Sequence, residues 1–186
     1  DLRNFKRMTT DNVVVMGRKT FESLPNKQPL PNRVNIIITD DNDFSVNESN
    51  NVYIVHGIFE AVELCEAFFS DKEIFVIGGA TIYNQFIGLD LIDEAYVTRV
   101  NDNSIEDNDV VINAFWDDEN KWKVYYESYS QRQRTDGNDI TYKFLIYKIL
   151  NTYLLIFFFF LRRSFTLVAQ AGVQWRSRLT ATSTSQ

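Results

Sequence analysis

The sequence holds one cysteine, one histidine and three prolines in 186 residues. Cys65 alone cannot form an internal disulfide, and Cys65 with His56 is too small a set for a Cys/His zinc site. Pro25, Pro29 and Pro31 fall within seven residues and mark a single loop. There is no basic excess: the net charge of −6 argues against a general nucleic-acid-binding surface. A spanning run is also lacking. The most apolar window, Phe144–Leu161, is 18 residues long and contains Lys148, Asn151 and Thr152, whereas a transmembrane helix needs about 20 predominantly apolar residues. No charged-then-apolar leader opens the chain, so no secretory signal is expected. No internal repeat is visible.

What is present is 45% hydrophobic and 24% charged residues, the balance of a folded globular chain. The charge is divided unevenly. Residues 1–150 hold 15 Lys/Arg and all 25 acidic residues, a net of −10, whereas residues 151–186 hold four Arg and no acid, a net of +4. The expected organisation is therefore one domain over 1–150 and a different kind of sequence over 151–186, aggregation-prone or disordered, in which YLLIFFFFL is followed by Arg162-Arg163.

Within 1–150 the apolar pattern predicts alternating helices and strands. The end of an amphipathic helix lies over 1–8 and is broken at Asn12. Continuous apolar runs at Val13–Met16, Val34–Thr39 and Ile74–Ile77 read as strands buried on both faces, with shorter or flanking strands at Val52–Val55 and Ile92–Val100. Helices are expected at Lys19–Leu24, Ile58–Phe69 and Ala80–Ile87. An acidic, Asn-rich loop precedes two alternating strands near Lys121–Ser130 and Asp139–Tyr147, and Thr135-Asp136-Gly137-Asn138 reads as a hairpin turn between them. This order predicts an α/β fold with a mixed, mostly parallel twisted sheet flanked by helices.

Two junctions carry the chemistry. In VVVMGRKTFESLP, Gly17 turns a strand into a helix that begins with Arg18, Lys19 and Thr20. In IFVIGGATIYNQF, Gly78-Gly79 does the same. Free N–H groups and the positive end of the helix dipole favour phosphate at each, and two cations add to the first. Neither is a Walker A or GxGxxG motif. Each alone could be a tight turn with surface cations. Together, at carboxyl ends of strands in one small sheet, they point to a dinucleotide pyrophosphate held from two sides.

DLxxFKRxT at 1–9, VVMGRKTFESLP at 14–25, PLPNRVNIII at 29–38, VIGGATIYNQF at 76–86 and LIDEAYVTRV at 91–100 resemble, in order and spacing, dihydrofolate reductase of the chromosomal, bacterial-like type. The resemblance implies a cytoplasmic, monomeric oxidoreductase of one-carbon metabolism that reduces 7,8-dihydrofolate to tetrahydrofolate with NADPH. Asp1 then matches the catalytic carboxylate that binds the pterin edge and supports its protonation, and Thr98 the threonine that hydrogen-bonds it. Leu2, Phe5 and Leu24 match the apolar walls of the folate pocket, and Arg33 the arginine that pairs with the glutamate tail. Gly17, Arg18, Lys19 and Thr20 match one phosphate turn. Gly78, Gly79, Ala80, Thr81, Ile82 and Tyr83 match the other, whose Gly-Gly bond is cis in the family, and Gln85 lies on the adenine side. Thr39 and Asp40 fall near the adenosine 2′-phosphate, which Asp40 would repel, and Thr81 stands where some members carry Arg. The resemblance implies no metal.

Family members also carry a central first strand and an active-site loop ahead of the position of Asp1. The expectation is therefore a sheet lacking that strand, with unpaired backbone beside it, and an impaired reductase. SFTLVAQAGVQW, 164–175, resembles the translation of an Alu repeat read in antisense, which implies a segment unrelated to the domain. The alternatives are a non-catalytic remnant or chimera with an apolar tail, and a same-fold reductase of the pteridine or riboflavin pathway.

Overall fold

The computed structural model of the chain describes residues 2–46, 51–101, 112, 115–135, 138–150 and 165–169. Its elements follow in the order α1 (Leu2–Thr9), β1 (Val13–Gly17), α2 (Arg18–Glu22), β2 (Val34–Ile38), β3 (Val52–Val55), α3 (Ile58–Phe68), β4 (Ile74–Gly78), α4 (Ala80–Gly88), β5 (Ile92–Asn101), β6 (Trp122–Glu127), β7 (Gln131–Thr135), β8 (Asn138–Ile149) and β9 (Phe165–Ala169), with 3-10 turns at Pro25–Lys27 and Phe115–Asp117. The strands form one sheet in the order β3-β2-β1-β4-β9-β5-β8-β6, and β7 also pairs with β8. From β3 to β5 every pairing is parallel, while β8 is antiparallel to β5, β6 and β7. The mixed, mostly parallel sheet predicted from the sequence is what forms.

The apolar runs are buried on both faces for the expected reason. Val13 and Val15 join Ile36, Ile74, Val76 and the inner residues of α3 and α4 on one face. Val14 and Met16 meet Phe21, Ile37 and Phe75 on the other, where Phe5 and Met8 of α1 pack. A strand between two helical layers shows no polar alternation. Asn12 ends α1 by an identifiable device. Its Nδ2 donates to the Met8 carbonyl at 3.1 Å, and its Oδ1 accepts from the Glu73 N–H at 3.0 Å, so the helix end is tied to the start of β4.

Asn35 is the polar exception inside β2, at 0% exposure. Its Oδ1 accepts from the Leu30 N–H at 2.9 Å, and its Nδ2 donates to the carbonyls of Leu30 and Arg33 at 3.0 and 3.1 Å. One side chain thus holds the loop that carries Arg33. Asn35→Ala should lower unfolding stability by about 2–4 kcal/mol, because it strands buried backbone groups, each worth about 1–3 kcal/mol when unsatisfied. Urea unfolding of the two chains measures this, and a change under about 0.5 kcal/mol would contradict the clamp.

Two features differ from expectation. The strand predicted near Lys121–Ser130 ends at Glu127, and β7 is a separate strand, so that β6 and β7 share the length of β8. The break falls at Ser128, whose N–H donates to the Phe144 carbonyl while its Oγ accepts from the Phe144 N–H, both at 2.9 Å. Thr135 pairs with Asn138, as the two-residue Asp-Gly connection requires; Asp136 and Gly137 themselves lie outside the described residues.

The larger difference is β9. Residues 151–186 were expected to lie outside the domain and the sheet to lack a strand. Instead Phe165–Ala169 runs parallel between β4 and β5, with Phe165 and Leu167 each 1% exposed. FTLVA has the β-branched and apolar content of a strand and no breaker, a local pattern overshadowed in the sequence by the Phe run before it.

Candidate active site

The first cleft lies where strand order reverses. β2 departs from β1 on one side and β4 on the other, so the carboxyl ends of β1 and β4 flank a switch point, the place where open α/β sheets bind ligands. A cleft of about 580 Å³ opens there. It is lined by Gly17, Arg18, Lys19 and Thr20 from the first junction, Gly79, Ala80, Thr81, Ile82 and Gln85 from the second, and Ile38, Thr39, Asp40, His56 and Gly57 from the ends of β2 and β3. The Gly78-Gly79 peptide bond is cis. The two junctions touch: a Cβ on Gly17 would meet Ile82 Cγ1 at 3.1 Å, and one on Gly79 would meet Thr20 Oγ1 at 3.3 Å.

The cations here are not equivalent. Arg18 donates to Asp41 Oδ2 at 3.1 Å, lies 3.8 Å from Glu22, and has its guanidinium 5.9 Å from the Phe44 ring centroid. Lys19 is exposed beside it. The buried Thr39 organises the far wall. Its Oγ1 accepts from the Asp41 N–H at 3.1 Å, and its carbonyl lies 3.0 Å from His56 Nδ1. A carbonyl only accepts, so the proton sits on Nδ1 and Nε2 is left as the other ring nitrogen. Sequence reading missed His56 and Gly57, since a lone His-Gly after a four-residue strand carries no local sign of what it faces.

A larger cleft, about 710 Å³, lies on the α1 side of the sheet. α1 contributes Asn4, Phe5, Arg7 and Met8, β5 contributes Glu94, Tyr96, Val97 and Thr98, and β9 contributes Thr166 and Val168. Thr98 is buried and paired in register with Phe144 of β8. The Tyr96 hydroxyl is pushed up to about 12 by burial and by hydrogen bonding to the Glu94 carboxylate, so it remains neutral. Glu94 is in turn 3.5 Å from Lys148.

The dihydrofolate reductase family profile matches residues 1–149. The chain belongs to the dihydrofolate reductase family. It is 33% identical over 152 residues to dihydrofolate reductase of Bacillus subtilis, covering 82% of this chain and 81% of that one. It is 37% identical over 100 residues to dihydrofolate reductase of Staphylococcus aureus, covering 54% of this chain and 55% of that one. The match to the bifunctional dihydrofolate reductase-thymidylate synthase of Paramecium tetraurelia, also 37% over 100 residues, covers 54% of this chain and 20% of that protein.

The residues matched to the family's motifs divide as follows. Of the cofactor set, Gly17, Arg18, Lys19, Thr20, Thr39, Gly79, Ala80, Thr81, Ile82 and Gln85 line the first cleft. Gly78 stands behind it with φ +116°, and Tyr83 faces inward. The Tyr83 hydroxyl donates to the Val168 carbonyl at 2.7 Å, and burial pushes its pKa well above the ordinary phenol value. Of the substrate set, Phe5 and Thr98 line the larger cleft. Leu24 packs on the same face of the core, and Leu2 is 72% exposed. Arg33 is buried with its guanidinium 5.8 Å from the Phe5 ring centroid, so Phe5 joins it to the cleft. Burial lowers the Arg33 pKa, and its Nε has no hydrogen-bond partner among the described residues. Asp1 lies outside the described residues. Among those described, no three His, Cys, Asp or Glu are placed to hold a metal ion, and no helix is long and apolar enough to cross a membrane.

Proposed function

We propose that this chain reduces 7,8-dihydrofolate to tetrahydrofolate with NADPH. The observation that supports it most is the convergence of two strand–glycine–helix junctions on one cleft at the switch point, ten of whose lining residues are those matched to the family's cofactor turns. The donors suit the cofactor. Backbone N–H groups at the starts of α2 and α4, with Lys19, Thr20 and Thr81, would hold a pyrophosphate, and the glycines let that backbone come close. NADPH supplies the hydride when bound.

The remaining work falls to the chain. Phe5 and Leu24 would pack the pterin and benzoyl rings. The Asp1 carboxylate, matched by two parallel hydrogen bonds to a 2-aminopyrimidine edge, would orient the ring, and with Thr98 it would bring the proton toward the pterin nitrogen. Arg33 would pair with the glutamate tail. Among the described residues the buried Arg33 Nε–H has no hydrogen-bond partner, so this side chain retains a donor for such a carboxylate.

Loss of NADPH absorbance on addition of dihydrofolate tests the reaction; no turnover and no binding of either ligand would refute it. Arg33→Lys should raise KM for dihydrofolate about 10–100-fold with a smaller change in kcat, since a charged hydrogen bond is worth about 1.5–3 kcal/mol. An unchanged KM would remove Arg33 from the site. Asp40 lines the cofactor cleft, and Asp40→Asn should raise the preference for NADPH over NADH about fivefold, the worth of one nearby repulsion in water. Ratios of kcat/KM for the two cofactors measure it.

A further inference from the structure

Arg18 begins α2, yet its guanidinium reaches the turn that follows β2, where Nη1 donates to Asp41 Oδ2 at 3.1 Å. Asp41 is itself held at three points. Its N–H donates to Thr39 Oγ1 at 3.1 Å, its Oδ1 accepts from the Asp43 N–H at 3.0 Å, and its carbonyl accepts from the Phe44 N–H at 3.3 Å. Phe44 completes the support. Its ring centroid lies 5.9 Å from the guanidinium, and the ring stands edge-on to buried Phe21 of α2, 6.1 Å away at 83°. Glu22 approaches the same nitrogen, Nη1, at 3.8 Å. A guanidinium has five N–H donors, so those on Nε and Nη2 remain for a ligand. The Arg18 and Asp41 side chains are 36% and 39% exposed, and a pair this open adds little to folding. What it supplies is direction, because a long side chain that is not held must give up its rotamer freedom on binding.

We propose that Asp41, backed by Phe44, is a positioning residue that holds Arg18 ready for a phosphate ester on the cofactor's adenosine ribose. This rests on the cofactor reading given above. There Lys19, Thr20, Thr81 and the starts of α2 and α4 serve the pyrophosphate. NADPH carries one further phosphate, and Arg18 is the one other Lys or Arg lining the cleft among the described residues. Asp41 stands outside that lining and acts through Arg18. The sign of its effect separates two roles. As a bare charge beside an anion site, Asp41 would weaken phosphate binding. As a positioning residue it strengthens that binding, because Arg18 meets the phosphate already ordered.

Adenosine 2′,5′-bisphosphate and 5′-AMP differ only in that phosphate, so isothermal titration of the full chain with each reads its contribution directly. Asp41→Asn keeps a side-chain oxygen for the Asp43 N–H, and with it the turn, but sets a neutral amide against Arg18. Asp41→Ala removes both contacts. Each variant should raise Kd for the bisphosphate about 2–10-fold, the effect of ordering one long side chain, and leave Kd for 5′-AMP within about twofold. Arg18→Gln should lose the preference for the bisphosphate. Adding Asp41→Asn to it should leave that Kd unchanged or lower it, because only the charge is then left to remove. Tighter binding of the bisphosphate by either single variant would make Asp41 a repulsive charge and overturn the proposal. An equal loss for both nucleotides, or the same loss in the Arg18→Gln background, would overturn it too. If the unaltered chain bound both nucleotides equally, the positioning role would fall, while NADPH oxidation by dihydrofolate would leave the reductase reading standing. Binding of neither nucleotide would refute the cofactor cleft and the positioning together.

Discussion

Leu167→Asp should be the most damaging single substitution in the C-terminal segment, lowering unfolding stability by at least about 4 kcal/mol. Leu167 is 1% exposed and sits in the core cluster that also holds Val76, Ile82 and Ala95. Deleting such a side chain costs about 2–5 kcal/mol by itself, and a carboxylate buried without a partner adds a further desolvation penalty. Domains of this size hold about 5–15 kcal/mol in total, so the variant should be largely unfolded at moderate urea or dissolve its central pairing. Urea titration followed by the fluorescence of Trp116 and Trp122 measures it. Leu2→Asp is the comparison: the same chemical change at 72% exposure should shift stability by about 0.5 kcal/mol or less. Equal effects at the two sites would mean that Leu167 is not in a core.

The second large effect is expected at Gly78→Ala. Gly78 has φ +116°, a region that residues with a Cβ rarely adopt, and an added Cβ would meet Tyr83 Oη at 3.1 Å and Cζ at 3.2 Å. Tyr83 cannot swing aside freely, because its hydroxyl is committed to the Val168 carbonyl. Backbone strain of about 1–3 kcal/mol and overpacking of similar size should add, giving about 2–6 kcal/mol. Because Gly79 caps α4 and lines the first cleft, the same change should weaken NADPH binding by tenfold or more in the fraction that folds. Gly88→Ala, where nothing lies within 4 Å of the added carbon, should be neutral or slightly stabilising. Isothermal titration with NADPH and thermal melts separate the two readouts, and wild-type affinity in Gly78→Ala would refute the steric argument.

The parts of this fold that could be read from the sequence are those set locally. Val13–Met16 and Ile74–Ile77 are apolar without alternation, so their burial between two helical layers follows from composition. Gly17 and Gly79 stand at the starts of α2 and α4, as turn chemistry requires. The two glycine junctions that meet in the first cleft were legible because strand ends in a parallel sheet converge. What was not legible depends on partners far away in the chain. Asn35 looks like one polar residue in VNIII, and its role arises only from the loop folding back over β2. His56 gains meaning from the Thr39 carbonyl. The separation of β6 from β7 is set by Ser128 meeting Phe144. Phe165–Ala169 is an unremarkable pentapeptide until β4 and β5 are brought one strand's width apart on either side.

That last strand also bears on how the molecule is made. Gly78 ends β4 and Phe165 begins β9, so 87 residues must be added after β4 is complete before β9, which pairs with it, is reached. At about 5–20 residues per second, roughly 4–17 s separate the completion of β4 from the start of β9. A border of the apolar strand Ile74–Gly78 that is not yet paired is the kind of surface that recruits other chains. Yield of native protein should therefore depend on what shields that edge during synthesis, and a fused copy of residues 164–169 placed earlier in the chain should shorten the interval.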